Sequence, residues 1–249
     1  MTRISLLLLL VLGLSVQVMA QTESTYHVFP VVADGQFSDG TFYVSTFMIS
    51  NSSATVAPSC SLRMNGLAVD LTDEFNSRVP RNTQFTLNLA PSAWYLAETS
   101  GTQGFASGYA SLFCSAPVAA HALYSFYDRY GNKVGEGTVF SALRGSLVQL
   151  LDDQRSGARL GLAITNDNDF SVTYSVNALD TNGQLLGSTS ISVGPRSTRL
   201  NFVDELVSIP SDYIGQVLVG SSSGQSVYVI GLRFSGPVFT TIPATVRAP

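Results

Sequence analysis

Short runs in which every second residue is apolar constrain the fold of this chain more than any other feature. In residues 172–178, Val, Tyr, Val and Ala alternate with Thr, Ser and Asn, and residues 85–89 show the same period of two. A period of two places successive side chains on opposite faces of a strand, so each run predicts a β-strand with one buried face. The pattern predicts an all-β protein, in which only residues 201–207 are expected to form a helical turn.

Five short stretches occur twice in the same order, roughly a hundred residues apart. The pairs are MISNSS (48–53) with AITNDN (163–168), Asn65-Gly66 with Asn182-Gly183, NLAPS (88–92) with SVGPR (192–196), GYASLFCS (108–115) with GQVLVGSS (215–222), and LYSF (123–126) with GLRF (231–234). Such self-similarity predicts a duplicated unit. The expected organisation is two tandem immunoglobulin-like or fibronectin-like antiparallel β-sandwich domains, residues 21–143 and 144–249.

The first twenty residues have the composition of a signal peptide. Arg3 precedes an apolar run over residues 6–14, and the leader ends in Val18-Met19-Ala20, after which cleavage is expected. Ser15 and Gln17 interrupt the run, which disfavours a retained membrane anchor. No later segment is expected to span a membrane as a helix. The mature chain is therefore predicted to be secreted, either periplasmic or extracellular.

The two cysteines, Cys60 and Cys114, are expected to form a disulfide in an oxidising compartment. Strand alternation places Cys60 on the same face as Leu62, and Cys114 on the same face as Leu112, so both side chains should point inward. Two cysteines and two distant histidines lack the spacing of zinc ligands. We predict no metal site and no cofactor.

The charge composition excludes nucleic acid as an expected partner. The net charge is −4, charged residues make up 12% of the chain, and Lys133 is the single lysine. Binding to phosphates requires clustered Lys and Arg, which this sequence lacks.

Strands that end in ISN (49–51) or ITN (164–166), each followed later by a Gly-led strand such as GYASL or GQVLV, resemble the tandem β-sandwich repeats of uncharacterised secreted bacterial proteins. The resemblance implies an exported protein that is surface-facing or periplasmic. It carries over no catalytic residues.

Residues 220–224 fit the G-x-S-x-G pattern of serine hydrolases, whose fold places Asp or Glu and then His later in the chain. Both His27 and His121 precede the stretch, so it is interpreted as a hairpin loop. Strand alternation places His121 on the same face as Ala119. His27, near the mature N-terminus, is expected to be exposed. We predict no catalytic residues and expect a protein that is not an enzyme.

Aromatic residues give the best indication of binding. Trp94 and Tyr95 follow a proline turn, and Tyr127 and Tyr130 lie at the end of an aromatic strand. Exposed rings of this kind stack on sugars or anchor a protein partner, although aromatic residues also fill sandwich cores. These four residues are the candidate ligand-binding set.

Three functions remain open from the sequence. The leading prediction is a secreted, non-catalytic module for adhesion or cell-surface structure, with a protein or glycan partner. The second is a carbohydrate-binding protein that uses Trp94. The third is an outer-membrane β-barrel, suggested by the mean hydropathy of +0.24 and disfavoured by prolines such as Pro91 and Pro195.

Overall fold

The computed structural model describes residues 23–221, 223–236 and 238–247, and the expected leader, residues 1–20, lies outside them. The described chain is all-β, as predicted. Its strands are β1 Ser24–Gln36, β2 Phe42–Ser50, β3 Ser59–Asn65, β4 Val69–Asp73, β5 Arg78–Asn82, β6 Gln84–Asn88, β7 Trp94–Thr99, β8 Ala106–Tyr127, β9 Lys133–Phe140, β10 Leu147–Asp153, β11 Arg159–Asn166, β12 Val172–Leu179, β13 Leu185–Val193, β14 Ser197–Phe202, β15 Ile214–Ser221, β16 Tyr228–Ser235, β17 Val238–Ile242 and β18 Thr245–Val246. The predicted helical turn is confirmed as α1, Val203–Leu206, and a short 3₁₀ turn covers Arg155–Gly157.

The strands of the first half, residues 24–140, form two antiparallel layers that share the long strand β8. Residues 106–118 of β8 pair with β1 and β3, and β3 also pairs with β6. Residues 119–127 of β8 pair with β2 and β9, while β2 also pairs with β7, and β7 with β4. The orders are thus β1-β8-β3-β6 in one layer and β7-β2-β8-β9 in the other.

The second half, residues 147–246, has the same strand order. One layer is β10-β15-β12-β13 and the other is β14-β11-β16-β17. Where β8 runs through both layers, the second half has two separate strands: β15 ends at Ser221 in one sheet, and β16 begins at Tyr228 in the other. The predicted hairpin loop is therefore wrong, and Ser222 itself lies outside the described residues.

The strand order leaves the immunoglobulin-like type unconfirmed. In immunoglobulin constant domains the first and second strands are neighbours in one sheet. Here β1 lies beside β8 along most of its length, and it pairs with β2 only at Gly35–Tyr43 and Gln36–Phe42.

Apolar side chains of both halves pack into one cluster. The cluster centred on Phe29 and Phe47 of the first half also contains buried second-half residues, namely Ala163, Ile230, Leu232 and Phe239. A second cluster, which includes Leu162 and Val176, lies wholly within the second half. The sequence predicted two separate interiors, but the central strands β11 and β16 of the sheet β14-β11-β16-β17 are largely buried on both faces, because the middle of its outer face packs against the first half.

Polar contacts join the halves at strand β1. A bulge between Phe29 and Val32 turns the carbonyl oxygen of Pro30 outward, where the hydroxyls of Thr165 and Thr198 donate to it at 3.2 and 3.0 Å. These contacts attach the edge of the first half to the outer face of the second.

A carboxylate of the second half completes this attachment. Asp167 accepts hydrogen bonds from the hydroxyls of Tyr26 and Tyr109 of the first half, the latter at 2.7 Å, and from Arg196 at 2.9 Å. The side chain of Asp167 is only 8% exposed, so these bonds lie away from solvent.

The predicted disulfide between Cys60 and Cys114 is confirmed. The two residues face each other directly across β3 and β8, and both are buried. Within the described residues, no helix is long and apolar enough to cross a membrane.

The prediction that His27 is exposed is wrong, since only 1% of its surface is accessible. Strand β1 already begins at Ser24, so His27 lies within the sheet. The imidazole Nε2 is 3.0 Å from the carbonyl oxygen of Val118 and 3.1 Å from that of Ser24. Burial lowers the pKa of His27, so the neutral ring is the favoured form.

Candidate functional site

The outer face of the layer β7-β2-β8-β9 carries an apolar surface that no other described part of the chain covers. We call this surface the Trp94 face. Its members are Met48, Ser50, Trp94, Leu96, Ala119, His121, Leu123 and Phe140. Met48 lies opposite both Leu96 and His121, and His121 lies opposite Phe140, so one row of side chains crosses all four strands.

Trp94 is the most prominent residue of this face and is 62% exposed. It lies beside an open groove of about 440 Å³, formed by residues 48–50 of β2, residues 94–96 of β7, Ala119 and His121. The groove is shallow and largely apolar. It could receive an apolar side chain or the face of a flat ring, but it lacks the enclosure typical of a small-molecule pocket.

The position of Trp94 follows from the asparagine that ends β2. The side-chain amide of Asn51 donates to the carbonyl oxygens of Val56 at 2.7 Å and Ala90 at 2.9 Å, and its backbone N–H donates to Ala93 at 2.9 Å. These bonds attach the turn before β7 to the end of β2. Trp94 then begins β7 directly opposite Ser50.

Tyr95 points to the other side of the sheet. It packs against the cluster around Phe29 and Phe47. Burial, followed by the negative charges of Asp73 and Glu74, raises the pKa of its hydroxyl to about 12. The ring of Tyr95 therefore faces the core, on the opposite side of the sheet from Trp94.

Tyr127 and Tyr130 lie at the opposite end of the sheet from Trp94. Tyr127 stacks on Phe42, with ring centroids 4.8 Å apart and planes within 3°. It lies six positions after His121 on β8, which corresponds to roughly 20 Å along an extended strand. Tyr130 is exposed in the following turn, where Arg129 lies over its ring at 4.8 Å. The structure does not bring the four predicted residues together.

His121 lies in the middle of the Trp94 face and is half-buried. Burial lowers its pKa, so near neutral pH the ring is an uncharged group that can donate or accept one hydrogen bond. In the described parts of the chain, no group of three or more His, Cys, Asp or Glu side chains could hold a metal ion.

The centre of the same face of the second half is covered, although Leu200 at its edge is 44% exposed. Two residues are counterparts when they occupy the same position in the strand pairing of the two halves. By this criterion Ala163 is the counterpart of Met48, and the registers of the neighbouring strands give the others. They are Thr198 for Trp94, Leu200 for Leu96, Ile230 for His121 and Leu232 for Leu123. Ala163, Ile230 and Leu232 are all buried against the first half. Two equivalent surfaces therefore differ in whether they have a partner.

The register also corrects one of the sequence matches. The match of LYSF (123–126) with GLRF (231–234) makes Leu232 the counterpart of Tyr124. The strand registers instead make Leu232 the counterpart of Leu123, and Arg233 the counterpart of Tyr124. A shift of one residue moves a side chain to the other face of a strand, so the sequence match concealed the equivalence of the two outer faces.

Sequence reasoning missed Met48, Leu96 and Phe140 as members of the site. They occupy the outward positions of their strands, between residues that point into the core. The alternation pattern contained this signal, because these three outward positions are apolar where a solvated face would carry polar residues.

Comparison with known proteins found no match: no family model, no curated protein and no solved structure is significantly similar to the chain.

Proposed function

We propose that this protein is an exported, non-catalytic structural module built from a duplicated β-sandwich unit, and that its Trp94 face binds a protein partner. One observation carries the proposal: the outer face of a sheet is apolar and uncovered by described residues in the first half, while the centre of the equivalent face of the second half is buried by a protein surface.

The composition of the Trp94 face supports a protein partner. Contiguous exposed apolar surface is uncommon on monomeric proteins and is typical of interaction sites. Trp94 at 62% and Phe140 at 41% exposure provide large rings at its two ends, and Trp is among the residues that contribute most to interface affinity. The flat sheet surface suits another folded protein better than a small ligand.

The disulfide supports export. Buried disulfides between neighbouring strands persist in oxidising compartments and are rare in the cytosol. The Cys60–Cys114 bond therefore fits the leader predicted at residues 1–20. A stable, weakly charged sandwich attached to or near a cell surface would serve adhesion or envelope structure.

Site-specific photo-crosslinking tests the proposal. A photoreactive phenylalanine analogue replaces Leu96 on the Trp94 face and, in the control, Phe113, which is 59% exposed on the other layer. We expect a discrete protein adduct, identified by mass spectrometry from intact cells, at position 96 and none at position 113. No protein adduct at position 96 would contradict the proposal.

Carbohydrate binding is a second candidate, favoured by the exposed indole beside an open groove. Trp94 is the single tryptophan of the chain, so its fluorescence reports directly on this site. Addition of a bound glycan should quench or shift the emission, as stacking on sugars changes the environment of the ring. An unchanged spectrum across a panel of polysaccharides would count against this function.

A further inference from the structure

We propose that the protein bound by the Trp94 face is a second copy of this chain, docked through the surface of its second half around Leu151 and Arg233. The inference rests on the proposed function and names its partner. The contact would repeat, between molecules, the packing that already joins the two halves of one molecule.

The internal interface provides the template. On the first half its apolar part includes the bulge at Pro30 and Val31, together with Tyr124 and Gly137, and lies beside the polar contacts of Tyr26 and Tyr109 with Asp167. On the second half, three phenylalanines form a continuous aromatic chain that receives Tyr124, whose ring centroid lies 5.3 Å from that of Phe239. The three residues are Phe202, Phe234 and Phe239. Phe239 lies so close to Gly137 that a Cβ there would meet its ring at 2.8 Å.

The second half presents an equivalent docking surface to solvent. Strand pairing makes Leu150 the counterpart of Phe29, so Leu151 occupies the place of the docked bulge. Leu151 is 65% exposed, the largest exposure of any apolar residue on the strands of the second half. By the same register, Arg233 replaces Tyr124 and Thr240 replaces Gly137.

The surface next to the Trp94 face carries polar and acidic residues where its counterpart in the second half is aromatic. The counterparts of the three phenylalanines in the first half are Glu98, Ser125 and Glu136. Where Tyr124 meets an aromatic chain within one molecule, Arg233 of one copy would meet Glu98 of the next, beside Glu136, which already pairs with Lys133 and Ser125. Opposite charges therefore stand at equivalent places on the two free surfaces, as expected of surfaces that bind each other.

The path of the chain leaves both surfaces open. After β9 the chain continues alongside β1, where the N–H of Ala142 donates to Val28 at 2.8 Å. After β17 it takes the same course, and Thr245 of β18 pairs with Gln149, the counterpart of Val28. The strand β18 therefore occupies only the place of the linker, and no described segment covers Leu151.

Such a contact joins different surfaces of two copies. Interfaces of this type leave a free surface at each end of the dimer, so association continues to longer chains unless the geometry closes a ring. The predicted product is a concentration-dependent series of head-to-tail oligomers.

Charge reversal tests this arrangement by analytical ultracentrifugation of the mature chain. Glu98→Arg places like charges in the contact, and Arg233→Glu does the same from the other side. Each variant alone should associate roughly tenfold or more weakly than the wild type. An equimolar mixture of the two should recover association. A contact between the two different variants joins either two reversed charges, which are again opposite, or two unaltered surfaces.

Arg63→Glu serves as the matched control, since Arg63 is an exposed charge on β3 in the other layer and should leave association unchanged. Circular dichroism melting confirms that each variant folds. A second variant, Trp94→Ala, should also weaken association.

Two results would overturn the inference. One is a wild-type chain that stays monomeric at every concentration, and the other is single charge variants that associate as the wild type does. If position 96 nevertheless crosslinks to a different protein, the proposed function stands and only the identity of the partner is wrong.

Discussion

At the scale of single residues, two buried asparagines perform the same task in both halves. Asn166 donates to the carbonyl oxygens of Phe170 at 2.7 Å and Gly194 at 2.8 Å, and its own Oδ1 accepts from the N–H of Asn168. Asn51 makes the corresponding set of bonds. The sequence indicated a strand end at both positions, but it did not show that each amide attaches a distant turn, because that turn is about 30 to 40 residues away in the chain.

Replacement of Asn166 by Ala should destabilise the protein by about 2–3 kcal/mol, since buried carbonyl groups would lose their hydrogen-bond donors. Asn51→Ala should have a similar effect. Urea denaturation followed by circular dichroism measures both. Asn182→Ala in an exposed turn is the control and should change stability by less than about 0.5 kcal/mol. An effect at position 166 no larger than at position 182 would show that the buried amide is dispensable.

Asp152 is a carboxyl group buried at the end of β10. Its Oδ2 accepts from Gln154 at 2.8 Å, while its Oδ1 has no partner among the described residues. Burial raises its pKa from 3.8 to about 6. The folded state therefore binds this proton more tightly than the unfolded state does. The stability that results is fully present below pH 3.8 and is lost as the pH rises through 6.

Asp152→Asn should therefore be more stable than the wild type at pH 7 by about 1–2 kcal/mol, because the amide avoids burial of a charge. The advantage should shrink as the pH falls through 6 and should disappear below pH 3.8, where the wild-type carboxyl becomes protonated in both states. Denaturant titrations at a series of pH values measure the difference. A difference that does not depend on pH would show that the side chain titrates normally.

At the scale of elements, strand β8 determines how the first half is built. Its 22 residues contribute to both layers, and Cys114 binds it covalently to β3. The sequence predicted the disulfide because alternation placed both cysteines inward. It did not predict the length of β8, since Pro117 within GYASLFCSAPVAA suggested an interruption.

Replacement of both Cys60 and Cys114 by Ala should lower the free energy of unfolding by about 2–4 kcal/mol, because the bond closes a long loop in the unfolded chain. The midpoint of urea denaturation gives the change. Wild-type protein treated with a reductant should match the double variant. Equal midpoints for the oxidised wild type and the variant would contradict the prediction.

Strand β16 shows where the sequence held more information than alternation reveals. Residues 228–232 read Tyr, Val, Ile, Gly and Leu, without a polar residue, and the structure buries all of them. A continuous apolar run is typical of a strand covered on both faces. The run thus indicated a second covering surface, but no local pattern could show that the surface is the other half of the chain.

At the scale of the whole molecule, the two halves share a hydrophobic cluster that the sequence did not predict. Repetition of short motifs predicted a duplicated unit with two separate cores; the structure shows that the strand orders of the two halves are equivalent. Whether two units merely follow each other or complete each other's core depends on residues that touch across more than 100 positions, such as Tyr124 and Phe239. The Trp94 face was likewise found only in part, because its row of residues is assembled from four strands.

Phe239→Ala should lower the stability of the entire molecule by about 3–5 kcal/mol, since it removes a buried ring from the shared cluster. The first and second halves should still unfold in one transition, as seen by calorimetry. Val238→Ala is the control, because the side chain of Val238, next to Phe239 in the chain, is 54% exposed. Two separate transitions in the wild-type protein would contradict a cooperative core.

The late position of Phe239 in the chain has a consequence for biosynthesis. Ribosomes make the first half well before the residues that cover its open side, so a nascent chain lacks the ring that packs against Tyr124 until β17 emerges. An unfinished chain of this kind is prone to aggregate. Delivery through a translocation channel, followed by folding once the whole polypeptide has crossed, would avoid that hazard, and a chaperone that holds the first half during the delay would do the same.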